Sequence, residues 1–170
     1  MSARMPGRDR LVVVMGVSGS GKTTVGQSLA DRLGLGYADA DAFHSEASVA
    51  KMASGHPLDD DDRAPWLEAV GAWLARHSND GAVVGCSTLR RCYRDMLRDA
   101  APDLVLLHLS GDPAVLTERV AHRPGHFMSA PLMSSQLSTL EPLEADERRV
   151  VLNVSASVDE LVESFIAAAG

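Results

Sequence analysis

Aromatic residues make up only 4% of this 170-residue chain, so its core is not assembled around large rings. Hydrophobic residues still reach 45%, and the interior is therefore expected to be mostly Val, Leu, Ala and Met, as in parallel strands buried under helices. Cysteine is scarce. Cys86 and Cys92 are six positions apart, a spacing that builds neither a metal ligand set nor a secreted disulfide framework, and both are expected to be buried thiols. Basic residues are in deficit, 16 Lys and Arg against 23 Asp and Glu, for a net charge of −7. Phosphate backbones attract basic surfaces, so this balance argues against nonspecific nucleic-acid binding, and an acidic small molecule would need a local basic pocket. No apolar run is long enough for a signal h-region or a membrane span, and Met1 to Arg10 is polar, so no membrane partner and a cytoplasmic location are expected. Repeats, low-complexity tracts and linkers are lacking as well. The length suits a single domain over residues 1–170, with residues 1–9 expected to be disordered.

What is present is concentrated near the N-terminus. Gly16 to Thr23 read GVSGSGKT, a complete G-x-x-x-x-G-K-[ST] phosphate loop placed directly after the apolar run Leu11 to Met15. A strand ending in a glycine-rich turn that opens a helix aims backbone N–H groups and a helix N-terminus at one point, where an anionic polyphosphate supplies the missing partners. Gly16, Val17, Ser18, Gly19, Ser20, Gly21, Lys22, Thr23 and Thr24 are thus the candidate ATP-binding residues. Lys22 would reach the β/γ oxygens, and the Thr23 hydroxyl would sit on Mg²⁺.

Further apolar runs near Tyr37, at Ala82 to Cys86, Leu104 to Leu109 and Val150 to Val154 alternate with helical patterns, which predicts an α/β fold with a parallel sheet. The first helix is predicted from Lys22 to Leu33, ending at Gly34. Another is expected to begin near Pro65, with Leu67, Val70 and Leu74 inward. Leu89, Cys92, Tyr93, Met96 and Leu97 form an apolar stripe that leaves Arg90, Arg91, Arg94 and Arg98 on the other faces. Asp112-Pro113 opens a helix that runs to about His122, and Ser157 to Glu160 forms a capping box for the last helix. Between these two helices, Arg123-Pro124-Gly125-His126 is rich in turn residues and charge, and residues 123–131 are read as a short movable lid.

Three constellations carry potential chemistry. Asp39 and Asp41 follow the second run, and residues two apart in a strand share a face, so both carboxylates are expected at the edge of the sheet that holds the phosphate loop. One would orient Mg²⁺ through water while the other accepts the proton of an attacking hydroxyl. Asp59 to Asp62 read mostly as a solvated charge run, but Arg63 stands where a guanidinium could grip an acidic substrate. Arg119 and Arg123, four apart, share a helix face leading into the lid and could clamp a triphosphate. The turn near Ser155 and Arg119 are also candidates to face adenine. The histidines are spread over different segments and suggest no zinc site.

With these residues in hand, the chain resembles the gluconate kinase (gluconokinase) family of small P-loop phosphotransferases. The resemblance rests on GVSGSGKT, Asp39-Ala40-Asp41 with His44, Lys51-Met52-Ala53-Ser54-Gly55 through Pro57-Leu58 to Asp60-Asp61-Asp62-Arg63, and Pro65-Trp66-Leu67. It continues through Cys86-Ser87 with Leu89, Tyr93-Arg94-Asp95, Gly125-His126-Phe127, Gln136 with Thr139-Leu140, and Asp146-Glu147. It implies a three-layer P-loop kinase fold with strand order 2-3-1-4-5, ATP and Mg²⁺ as cofactors, D-gluconate phosphorylated at its terminal hydroxyl, and a homodimer. Carried over residue by residue, the catalytic set is Lys22, Asp41 and Arg123. Asp41 would hold or deprotonate the acceptor hydroxyl, Thr23 would serve the metal together with Asp39 acting through water, and Arg63 would meet the sugar acid. His44, Lys51, Ser87, Arg91, His126 and Gln136 are further substrate-side candidates. Ala42, the arginines at 90 and 91, and Met128 depart from residues common in the family. Shikimate kinase is the nearest alternative on the same fold. A nucleotide-dependent switch is disfavoured by the absence of an N-K-x-D signature.

Overall fold

The apolar runs become five strands in one sheet. The computed structural model describes residues 11–17, 19–56, 58–121 and 130–169. Strands β1 (Leu11–Met15), β2 (Gly36–Asp39), β3 (Ala82–Gly85), β4 (Val105–Ser110) and β5 (Arg149–Asn153) are ordered 2-3-1-4-5, each pair parallel. The expected α/β class and strand order both hold. Ser18, residues 1–9, Arg123 and His126 lie outside the described residues, together with most of the expected lid; Ala130 and Pro131 belong to the next helix.

Strand alternation sends neighbouring side chains to opposite faces, and each face finds its own helices. Val12 and Val14 join Val25 and Leu29 of α1 (Lys22–Leu33) and Leu161, Val162 and Phe165 of α7 (Val158–Ala169). Val13 and Met15 join a second cluster across the sheet. There they meet Leu67, Val70 and Leu74 of α3 (Asp60–Arg76) and Tyr93 and Leu97 of α4 (Arg91–Ala100). Helix α1 ends where expected, because Gly34 takes the left-handed conformation (φ 68°) and closes the helix with N–H bonds to earlier carbonyls. Helix α5 (Pro113–Ala121) begins at the expected proline, with the Asp112 carboxylate accepting from the Ala114 N–H at 2.8 Å. Among the described residues no helix is long and apolar enough to cross a membrane.

Four expectations require correction. Helix α3 starts at Asp60 rather than near Pro65, because Asp59 and Asp62 form a reciprocal capping box at its first turn (2.8 and 3.0 Å). The acidic run is therefore a helix start rather than a solvated loop, with negative charge placed where the helix dipole favours it. Arg94, assigned to a polar face of α4, is completely buried, and Cys92, expected inside, is exposed. The two departures belong together: α4 turns its charged residues toward the segment before β5, whose carboxylates receive them.

Candidate active site

Because the strands are parallel, the loops after β1, β2 and β3 open on one edge of the sheet. The loop after β1 is the phosphate cradle. Gly16 adopts φ 152°, and a Cβ there would lie 2.8 Å from the Leu109 carbonyl oxygen and 2.7 Å from Ser20 Oγ, so only glycine lets the main chain pass. Gly19 (φ 82°) and Gly21 (φ 91°) complete the curl into α1. Lys22 Nζ folds back over the loop and donates to the carbonyls of Gly16 (2.9 Å) and Val17 (3.1 Å), which holds its charge at the centre of the cradle. Thr24, one residue further along α1, is exposed.

Asp39 and Asp41 do share this edge, but not as neighbours on one strand. Asp39 ends β2, and Ala40–Phe43 form a 3₁₀ turn. The Asp39 carboxylate caps that turn by accepting from the Asp41 N–H (2.9 Å), and its other oxygen accepts from the Thr23 hydroxyl at 3.4 Å. A hydroxyl and a carboxylate from two elements therefore meet beside the cradle, a hard oxygen donor set that fits Mg²⁺. The Asp41 side chain, 87% exposed, is free to reach into the cleft.

Behind Asp41 stands His44. Its ring stacks on Trp66 (centroids 4.3 Å apart), with Nε2 3.9 Å from Asp41 Oδ1, while Trp66 Nε1 donates to the Ala40 carbonyl at 2.6 Å. Burial pushes the His44 pKa down, Asp41 works against that shift, and the charge of Arg63 adds to it. A neutral imidazole is thus held between a carboxylate and a guanidinium, and its buried Nδ1 has no hydrogen-bond partner among the described residues. Arg63, half-buried in the first turn of α3, donates from Nη1 to the Tyr93 hydroxyl at 2.9 Å. In the sequence Tyr93 belongs to an apolar stripe and to a segment shared with the family, with no role assigned to it; its phenolic oxygen is the polar handle that the periodicity does not register.

The turn after β3 carries Ser87, half-buried, between Cys86 and Thr88. Burial pushes the Cys86 thiol up to about 12, so it supplies no nucleophile. Thr88 has φ 40°, a conformation that costs a β-branched residue energy unless its surroundings impose it. They do: Arg94 Nη1 donates to the carbonyls of Thr88 (3.1 Å) and Leu89 (3.2 Å), and Glu147 fixes Arg94 from the other side (2.7 Å). Neither member of this buried pair stood out in the sequence as part of the site.

The remaining candidates stand on other elements. Lys51 is ion-paired with Asp62 at 2.6 Å and ties α2 (Glu46–Ala53) to the start of α3. Arg91 is held by Asp95 (2.8 Å), by both oxygens of Asp146 (2.8 and 2.6 Å) and by Glu144, so its guanidinium secures the segment before β5 instead of facing Asp41. Gln136 is half-buried on α6 (Ala130–Thr139). Arg119 donates to the Val154 carbonyl at 2.8 Å, which brings it to the turn at Ser155.

Residues 12–131 match the family model described as an AAA domain, which covers the cradle, both aspartates and Arg63. A gluconokinase from Gluconobacter oxydans is 43% identical over 161 residues, spanning 94% of this chain and 90% of that protein. The chain belongs to the gluconokinase family. Within that family, the crystal structure of a gluconokinase from Sinorhizobium meliloti superimposes with a TM-score of 0.87 at 45% identity, covering 98% of this chain and 93% of that one. A shikimate kinase from Bacteroides thetaiotaomicron shares the fold alone: TM-score 0.69, 18% identity, 92% of this chain and 96% of its own.

Proposed function

We propose that this member of the gluconokinase family transfers the γ-phosphoryl group of ATP to the terminal hydroxyl of D-gluconate, giving 6-phosphogluconate and ADP. The observation that carries the reading is the convergence, on one sheet edge, of a phosphate cradle, an open carboxylate at Asp41 and a guanidinium at Arg63 without a carboxylate partner among the described residues. Lys22 and the loop N–H groups hold the donor. Asp41 orients the acceptor hydroxyl and takes its proton as the oxygen attacks phosphorus, and Arg63 binds the sugar-acid carboxylate. Thr23 and Asp39 would hold Mg²⁺, which when bound supplies charge neutralisation on the phosphates. Arg119 serves the nucleotide side near Ser155. Catalysis of this kind is positioning and electrostatics, which is what these residues offer. The reading includes a homodimer, drawn from the resemblance, and a cytoplasmic location, drawn from the polar N-terminal segment and the short apolar runs.

A coupled ADP-release assay with gluconate and shikimate side by side tests it. Gluconate-dependent ADP release that shikimate does not elicit is expected. Turnover with shikimate alone would assign the protein to the other branch of the fold, and no phosphorylated acceptor with either acid would favour a nucleotide switch.

A further inference from the structure

Arg63 differs from the arginines of α4. Arg91 and Arg94 are each locked against carboxylates, whereas among the described residues Arg63 has none within 4.0 Å and only one of its side-chain N–H donors has an acceptor, the Tyr93 hydroxyl. A carboxylate is nevertheless close. The Tyr93 hydroxyl accepts from Arg63 and donates its proton to Asp60 Oδ1, so one phenolic oxygen stands between the guanidinium and the acid. Tyr93 is itself 6% exposed and fixed in the core, and the Arg63 Cζ lies 5.6 Å from its ring centroid. Asp60 is also held from the far side by Arg90 at 3.4 Å.

We infer that Tyr93 is a positioning residue that insulates Arg63 from Asp60 and so sets the preference for an anionic acceptor. The inference rests on the reading of Arg63 as the carboxylate anchor. An arginine fork left beside a carboxylate closes on it bidentately. Here the fork would then be spent on its own helix, since Asp60 and Arg63 lie three apart on α3, the spacing of facing side chains. The tyrosine oxygen prevents this by satisfying both groups at once, accepting from one and donating to the other. The remaining N–H groups of Arg63 are left for an incoming carboxylate.

Steady-state kinetics of the full-length protein test the arrangement. Tyr93→Phe keeps the buried ring and removes only the oxygen. It should raise KM for gluconate about tenfold, the scale of one charge-assisted hydrogen bond, with KM for ATP within about twofold and kcat within about threefold. For glucitol, a six-carbon polyol without the carboxylate, KM should change less than about twofold. The decisive variant is the double substitution Tyr93→Phe with Asp60→Asn: with the competing carboxylate neutralised, KM for gluconate should return to within about threefold of wild type. A merely structural role for Tyr93 predicts no such rescue. An unchanged gluconate KM in Tyr93→Phe, or a loss that Asp60→Asn does not relieve, overturns the insulating role. If Arg63→Ala itself leaves the gluconate KM unchanged, the anchor reading falls and the inference with it, an outcome distinct from failure at Tyr93 alone.

Discussion

At the scale of single residues, the proposed mechanism divides labour between Lys22 and Asp41. Lys22 sits in the cradle, where hydrogen bonds to two main-chain carbonyls hold its charge over the loop. Lys22→Ala removes a cation aimed at developing phosphoryl charge and is expected to lower kcat about 100-fold or more. Asp41→Asn keeps the shape but removes the proton acceptor, and turnover should fall to a similar extent, since the side chain is largely exposed and contributes little packing. Both variants should retain the wild-type thermal midpoint; near-normal turnover in purified Asp41→Asn would remove it from the mechanism. The placement of Lys22 and Asp41 was legible because it follows from position in a motif and at a strand end. Tyr93 and Glu147 were not, because their significance lies in contacts 33 and 53 residues away in sequence, to Asp60 and Arg94.

At the scale of elements, the parallel sheet and five of the helices were legible in the sequence, and the family resemblance implied the strand order, while α2, α6 and several boundaries were not read. Alternation of apolar runs with helical stripes is a regional signal that survives an error of a few residues. The start of α3 depended instead on the Asp59 and Asp62 capping box, which competes with the equally plausible reading of four acids as a solvated run. The buried Arg94–Glu147 pair is the element-scale feature that periodicity assigned to the wrong face. It joins α4, the strained turn at Thr88 and the segment before β5, with Glu147 also accepting from the Glu144 N–H at 2.7 Å. Glu147→Gln leaves a buried guanidinium without its counter-charge and should cost about 3–5 kcal/mol, read as a lower urea midpoint at unchanged m-value. Replacing both residues with Met should recover only part of that loss. The carbonyls of Thr88, Leu89 and Pro142 would still lack the donors that Arg94 supplies. Full recovery in the double variant would show that the pair does not hold the turn.

At the scale of the whole molecule, the perturbed groups combine into a stability profile with two limbs. His44 and His108 both have pKa values lowered chiefly by burial, with the Arg94 charge adding to the shift at His108. The unfolded chain therefore binds more protons than the folded one once pH drops below about 6.5, and stability falls with it. Their contribution is complete above the unfolded value and is lost as pH falls through the lowered folded value. Asp146, held down to about 2 by hydrogen bonds from Arg91, extends the same limb: its share is present above the ordinary carboxylate range and disappears between that range and about pH 2. On the alkaline side the sign reverses. Cys86, pushed up to about 12 by burial, stays protonated in the fold while the unfolded thiol ionises from about pH 9 upward, so stability falls as pH rises. Urea midpoints should therefore form a plateau between about pH 7 and 9. His108→Gln should flatten the slope between about pH 6.5 and 5, and Cys86→Ala should flatten the alkaline limb while leaving the acid one intact. A midpoint that climbs as pH falls from 7 to 5 would mean that the buried imidazoles are charged in the native state, against the desolvation that dominates both.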